Sequence, residues 1–413
     1  MISFSPSEDQ KLMLDSVAQL AKATLRPRIR EFEAARGLPE DVRKAAHEMG
    51  LGLVAIPSEV GGAGLGLTTA VILEEEIAWG DPGAAYGFAG PGAFGRAVVE
   101  LGSKEQATQY LEPFTQPDAF GRFGAVAWGE PKAGTDRGGL CTLAKAAAGG
   151  GWVLDGEKAY VINADRADRL VVFAQVDPDA GWSGIGAFVV RRDAPGVEIL
   201  PRSTTLGLDV ASFGGLKLTQ VRVGAEARLD GGVSDASAGP QTFNDALVRF
   251  FAKEALLVAA RAVGLSRAAF EVTREYCDTR VAFGKAIGHF QAVAFTLADR
   301  AMDVEASRAL VWRAASLWDS GAPAGKALRA SASAISHALE AAMRCGDDAV
   351  QLHGGAGFMR DYPVEKFMRD AKQLQLCAMT AEQADQLAAA VELDRPLDPG
   401  LVLPSAETQN AFV

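Results

Sequence analysis

The spacing of hydrophobic positions changes twice along the chain. From Ser7 to about Asp118 they recur at helical intervals: Leu12, Leu14, Val17, Leu20 and Ala21 follow Ser7, an N-cap with Glu8 and Asp9 just behind it. The same period returns over 40–49 and 67–79, with Pro57 and Gly61-Gly62-Ala63-Gly64 marking an irregular connection between them. From about Phe120 to Asp230 the pattern becomes short β-type runs at 123–128, 151–155, 170–175, 185–191, 216–218 and 221–223. Turn signals separate them at 148–151, 177–179 and 193–196. From about Gln241 the period is helical again, in long segments over 242–278, 291–319, 325–352 and 363–392, as in an antiparallel bundle. The pattern predicts a mainly α chain with a central β domain. It divides into a helical domain over 1–119, a β-barrel-like domain over 120–235, a four-helix bundle over 236–393 and an irregular, proline-bearing tail over 394–413.

Composition narrows the function. The 413 residues suffice for two or three domains, and 48% hydrophobic with 23% charged residues is a globular balance. A net charge of −11 argues against a general binder of nucleic acid or anionic membrane, while leaving room for a local basic site on a phosphorylated cofactor. The four cysteines, Cys141, Cys277, Cys345 and Cys377, form no CxxC pair, so neither a metal cluster nor a disulfide framework is expected, and a reducing cytoplasm is. Glu8, Asp9 and Lys11 precede any apolar run, which predicts no secretory signal. Apolar stretches such as 255–260 are far shorter than the ~20 residues that cross a bilayer, so no stable membrane insertion is expected. No GxGxxG follows a strand near the N-terminus, which disfavours a Rossmann-type nicotinamide enzyme.

Four segments carry more specific chemistry. The first is Ile56-Pro57-Ser58-Glu59-Val60-Gly61-Gly62-Ala63-Gly64-Leu65, followed by Leu73-Glu74-Glu75-Glu76-Ile77-Ala78. The second is Glu130-Pro131-Lys132-Ala133-Gly134-Thr135-Asp136, and the third Arg280-Val281-Ala282-Phe283-Gly284-Lys285 with Gln291 behind it. The fourth runs Gln351-Leu352-His353-Gly354-Gly355-Ala356-Gly357-Phe358, then Tyr362-Pro363-Val364-Glu365 and Arg369-Asp370-Ala371. In this order and layout the chain resembles the acyl-CoA dehydrogenase family of flavoproteins, from about residue 5 to 392.

The resemblance implies an FAD-dependent oxidoreductase assembled as a homo-oligomer, a dimer or tetramer, with no metal site. Trp128, Gly129, Tyr160, Ile162 and Thr380 would meet the flavin of the same subunit. Arg280, Phe283, Gln291, Gln351, Gly354 and Gly355 would reach the FAD diphosphate of a neighbour. Thr135 and Asp136 would lie beside the thioester. The residue types suit these tasks: the Arg280 guanidinium is a planar fork of donors, and glycines let backbone approach a cofactor closely. Taken singly, Arg280 also reads as a solvated helix-end charge, the glycines as a turn between helices and Thr135 as a turn residue. Acyl-CoA, or an acyl-carrier thioester, is the implied substrate, and an electron-transfer flavoprotein the implied electron acceptor.

Dehydrogenation beside a thioester needs a carboxylate to take the α-proton. In much of the family it is a glutamate in a Glu-Gly-Thr triplet, where this chain has Ala378-Met379-Thr380. A second family solution, seen in isovaleryl-CoA and long-chain acyl-CoA dehydrogenases, puts the glutamate on an earlier bundle helix, and the aligned residue is Glu254. It shares a helical stripe with Leu247, Phe251, Val258 and Leu265, where burial is expected to favour a proton acceptor working near neutral pH. The competing reading is a structural carboxylate paired with Lys253, Arg261 or a neighbouring helix.

Other positions depart from the family pattern. Gly129 stands where a threonine often precedes Glu-Pro, Tyr160-Val161-Ile162 replaces Trp-Ile-Thr, and Asp209 replaces an arginine. Protein hydrogen bonds set a flavin's electronic tuning, so these changes bear on tuning more than on binding. Gly90, Gly92 and Phe94 fall where the family shapes its acyl pocket, and His289, His337 and His353 read as structural or surface residues. Alternatives of the same fold are a flavin oxidase or monooxygenase, a carrier-thioester dehydrogenase and a catalytically silent partner subunit.

Overall fold

A computed structural model describes residues 6–132, 139–229 and 240–395. The N-terminal helices are α1 (Glu8–Leu20), α2 (Ile29–Ala35), α3 (Glu40–Glu48), α4 (Gly66–Gly80), α5 (Ala84–Gly87), α6 (Gly92–Leu101) and α7 (Lys104–Leu111). Ser7 and Gln10 close a capping box on α1, satisfying two of the amide groups that a helix start leaves unpaired. α4 buries nearly its whole circumference, including Glu75, which forms ion pairs with Arg267 and Arg308.

Eight strands follow: β1 (Phe123–Ala127), β2 (Leu143–Ala146), β3 (Trp152–Ile162), β4 (Ala167–Gln175), β5 (Ile185–Arg191), β6 (Val197–Leu200), β7 (Phe213–Val223) and β8 (Arg228–Leu229). They pair in the order β6-β7-β3-β2-β4-β5-β8, with β1 parallel to β4 off that path. Side chains alternate across β4: Val171 and Phe173 join the main core with the helices, while Leu170, Val172 and Ala174 join a smaller core on the opposite face of the sheet. Over 170–174 both faces of β4 are buried, and that run, Leu-Val-Val-Phe-Ala, is continuously apolar. The strands at 143–146 and 197–200 carry no strong β signal and were not expected. β3 continues to Ile162, well past the 151–155 run.

The C-terminal helices are α8 (Pro240–Thr279), α9 (Gln291–Asp319), α10 (Ala324–Leu352), α11 (Val364–Leu374) and α12 (Ala381–Glu392). α8 is the central post and crosses α4 at Gly264, where an added Cβ would sit 2.1 Å from the Glu75 carbonyl oxygen. Between α8 and α9 a short hairpin pairs β9 (Val281–Ala282) with β10 (Lys285–Ala286). Its turn residues Phe283 and Gly284 both have positive φ, the signature of a tight two-residue turn.

The expectation of one helix over 363–392 is corrected. The helix stops at Leu374, Ala378 takes a positive φ of 60°, and Thr380 starts α12 with a second capping box through Gln383. An alanine in that region costs energy that helical periodicity cannot display. Among the described residues no helix is long and apolar enough to cross a membrane, and no group of His, Cys, Asp and Glu could hold a metal ion.

Candidate active site

A cleft of about 1130 Å³ opens where α4, α5 and α6 face the sheet on one side and α8, α11 and α12 on the other. That volume exceeds the few hundred Å³ typical of a small-ligand site and suits a cofactor together with a substrate.

Glu254 projects into this cleft from α8, and Phe251 and Val258 line it above and below. The apolar stripe is as expected, with Leu247, Phe251, Val258 and Leu265 all buried. The carboxylate is nevertheless not left to burial alone. Arg96 of α6 grips both its oxygens, Nη2 donating to Oε2 at 2.9 Å and Nε to Oε1. Burial opposes the Arg96 charge, but Glu254 outweighs it and holds the guanidinium above its ordinary pKa. The other suggested partners are engaged elsewhere: Lys253 donates to Glu100 at 2.6 Å, and Arg261 forms a two-pronged pair with Glu74 at 2.8 and 3.0 Å. The Arg261 guanidinium also lies 4.0 Å from the centre of the Tyr86 ring. Arg96, Glu74, Arg261 and Tyr86 all line the cleft. Sequence reasoning missed Arg96 as a site residue, although an arginine inside Ala93-Phe94-Gly95-Arg96-Ala97-Val98 was a usable signal.

The opposite wall is aromatic. The Trp128 ring packs edge-on against Phe251 at 4.9 Å and Phe173 at 5.0 Å, and near-parallel to Trp182 at 6.3 Å. Gly129 follows, where a Cβ would come within 2.8 Å of the Ala159 carbonyl oxygen. Tyr160, with φ of 57° and 68% exposure, presents its ring beside it. Ile162, Ala378 and Thr380 line the same cleft. Thr380 spends its hydroxyl oxygen on the α12 cap, accepting from the Gln383 amide at 3.3 Å.

Glu130, in the second sequence segment, is a structural staple. Its carboxylate accepts from the Cys141 amide at 2.6 Å, the Thr142 amide at 2.9 Å and Lys158 Nζ at 2.8 Å, with Lys158 fully buried. Burial would raise the Glu130 carboxyl, but the Lys158 ammonium and the Thr142 hydrogen bonds hold it below the usual carboxylate range. Burial pulls Lys158 down to about 8 despite Glu130. Thr135 and Asp136 lie outside the described residues.

Arg280, Phe283, Gln291, Gln351, Gly354 and Gly355 do not line the cleft. They are exposed on the bundle, with Phe283 95% exposed at its hairpin turn. His353 is buried between Tyr276 and Tyr362, His337 meets the Ser307 hydroxyl at 2.9 Å, and His289 is exposed, in keeping with structural and surface roles. Asp209 lies 3.9 Å from Arg369, and burial, with Glu33 nearby, raises its pKa.

Three family models match consecutive parts of the chain: the acyl-CoA dehydrogenase N-terminal domain over 7–118, middle domain over 125–221 and C-terminal domain over 244–389. The chain belongs to the acyl-CoA dehydrogenase family. The probable acyl-CoA dehydrogenase FadE25 of Mycobacterium tuberculosis is 33% identical over 373 residues, 90% of this chain and 92% of that one. Cyclohex-1-ene-1-carbonyl-CoA dehydrogenase of Geobacter metallireducens is 32% identical, with 90% and 94% covered. Among solved structures, butyryl-CoA dehydrogenase from Megasphaera elsdenii superposes with a TM-score of 0.84 at 28% identity, over 95% of this chain and 100% of that one. The acyl-CoA dehydrogenase fold is thus the frame that brings Glu254, Trp128, Gly129, Tyr160, Ile162 and Thr380 around one cleft.

Proposed function

We propose that the protein catalyses α,β-dehydrogenation of an acyl thioester with FAD as cofactor and Glu254 as the α-proton acceptor. The observation that carries this reading is the placement of Glu254 on α8, opening into a cleft where Ala378, at the position of the more usual base, offers no proton acceptor. The cradle suits a flavin. Gly129 leaves no side chain in the way, Trp128 and Tyr160 offer ring faces, and Ile162 and Thr380 complete the same wall. FAD, when bound, supplies the acceptor for the hydride that leaves the β-carbon.

The chain's own residues do the rest. The α C–H bond breaks, its proton passes to a Glu254 oxygen, and the electron pair it leaves forms the new carbon–carbon double bond as the β-hydride departs. Arg96 fixes the carboxylate in place before transfer and is released from part of its ion pair as Glu254 becomes neutral. Phe251 and Val258 keep water away on either side.

Arg280, Phe283, Gln291, Gln351, Gly354 and Gly355 act on the FAD diphosphate of a second subunit, so the working form is a homo-oligomer, a dimer or tetramer. Their exposure away from the cleft of their own chain supports that assignment. The substrate is an acyl-CoA, with electrons passing to an electron-transfer flavoprotein.

One observation favours a second reading, a catalytically silent subunit: both Glu254 oxygens are already bonded to Arg96. Anaerobic mixing with acyl-CoA separates the two. The native protein should bleach its flavin, and Glu254→Gln should slow bleaching by about 100-fold or more while retaining FAD. An unchanged rate in Glu254→Gln overturns the base assignment, and a native flavin that neither acyl-CoA nor an acyl-carrier thioester bleaches favours the silent subunit.

A further inference from the structure

One end of the cleft is polar in a way that proton abstraction does not explain. Val258 lies one turn beyond Glu254 on α8 and Arg261 nearly two, ~10 Å from Glu254 along the axis, and both line the cleft. With a flavin held by Trp128 and Tyr160, an acyl chain whose α-carbon met Glu254 would extend past Val258 toward Arg261, Glu74 and Tyr86, all of which line the cleft. An alkyl tail would there meet two guanidinium–carboxylate pairs and a phenol in place of aliphatic side chains.

Three features describe what this end would accept. The two pairs, Arg96–Glu254 and Arg261–Glu74, cancel in charge, so a charged acyl terminus would be buried without a counter-ion. Each guanidinium engages its carboxylate through Nε and Nη2, which leaves Nη1 outside the pair. Finally, Asn163 Oδ1 is enclosed with no hydrogen-bond partner among the described residues, and Tyr86 Oη, also enclosed, makes no well-formed hydrogen bond although the Arg261 guanidinium and the Cys377 thiol lie beside it; both residues line the cleft. The Asn163 amide donates to the Tyr86 carbonyl at 2.9 Å, so the backbone beneath the phenol is fixed. Burial pushes the Tyr86 pKa well up, so the phenol stays protonated and able to donate. A buried donor and a buried acceptor left unpaired are costly, and a ligand group that pairs with them removes that cost.

We propose that the acyl group taken by this protein carries an uncharged hydrogen-bonding substituent, a hydroxyl or carbonyl, recognised at the Arg96–Arg261–Tyr86 end of the cleft, in place of an unbroken alkyl chain. This rests on the thioester reading above, in which Glu254 faces the α-carbon.

Binding of products that cannot be oxidised further tests it without turnover. Isothermal titration of the FAD-loaded enzyme would compare 4-hydroxybut-2-enoyl-CoA with its isostere pent-2-enoyl-CoA, and 6-hydroxyhex-2-enoyl-CoA with hept-2-enoyl-CoA. Glutaconyl-CoA supplies a charged arm. At one length at least, the hydroxy compound should bind about tenfold more tightly than its isostere, because a site built to hydrogen-bond a hydroxyl rejects the analogue lacking it. Tyr86→Phe should remove most of that gap while leaving the affinity for the apolar enoyl-CoA and the flavin content unchanged. Equal or tighter binding of the apolar partner at both lengths overturns the inference and leaves the dehydrogenase reading standing, as does tightest binding of glutaconyl-CoA. If no acyl-CoA binds to the FAD-loaded protein, the thioester reading itself falls, and the inference with it.

Discussion

Arg96 and Glu254 sit on different helices, and the value of their contact lies in what happens when one partner goes. The side chains are 21% and 12% exposed, so neither charge can turn fully to water. Arg96→Leu strands a buried carboxylate and should cost about 3 kcal/mol in urea unfolding. Arg96→Leu with Glu254→Leu removes both charges and should recover most of that loss. Equal stability of the single and double variants would show that the stranded Glu254 carboxylate carries no penalty. Arg261 depends on Glu74 in the same way, since that carboxylate is what makes its buried charge tolerable.

At the scale of elements, the Glu130–Lys158 staple ties the segment after β1 to the start of β2 and the middle of β3. Folding lowers the Glu130 carboxyl, so its contribution is complete above the ordinary carboxylate range and is lost as pH falls through its folded value. Lys158 runs the other way. Its folded value near 8 lies below the usual lysine value, so the unfolded chain binds that proton more tightly and stability gains as pH rises above about 8. Glu130→Gln should therefore cost about 3 kcal/mol at pH 7, by orphaning a buried ammonium. The deficit against the native protein should shrink in unfolding at pH 4, and a deficit equal at both values would refute the staple. Glu130 opens the sequence segment that carries Thr135 and Asp136, the residues expected beside the thioester. Glu130 does line the cleft, yet its oxygens are spent on the fold.

Across the whole molecule, one cleft draws residues from stretches of chain distant in sequence, among them the N-terminal helices, β1, β3, the segment 204–206, α8 and the break between α11 and α12. A second set of expected FAD contacts lies exposed elsewhere on the bundle, and only assembly would bring it to a cofactor. Arg280→Ala should accordingly lower FAD content and weaken the oligomer together, read by the flavin-to-protein absorbance ratio and by sedimentation velocity. A fully flavinylated, stable Arg280→Ala oligomer would refute the two-subunit site.

The sequence by itself determined the order of helices, strands and helices, because the switch from a period near four to a period of two and back reflects which faces can be buried. α9 was legible to the residue, the helical segment read over 291–319 coinciding with Gln291–Asp319. The place of Glu254 on a buried apolar stripe was legible as well, whereas its choice as the proton acceptor came from the family resemblance and from Ala378. Tertiary structure decided the rest. β2 and β6 are strands because neighbouring strands supply their hydrogen bonds, not because of local propensity. The turn at Ala378 sits between the buried Cys377 and Met379, against the preference of an alanine. Arg96 meets Glu254 across two helices separated by more than 150 residues, and an ion pair between distant segments leaves no periodic trace in either of them. The polar end of the cleft was hidden for the same reason: its arginines, carboxylates and phenol each look like isolated exceptions until the fold sets them side by side.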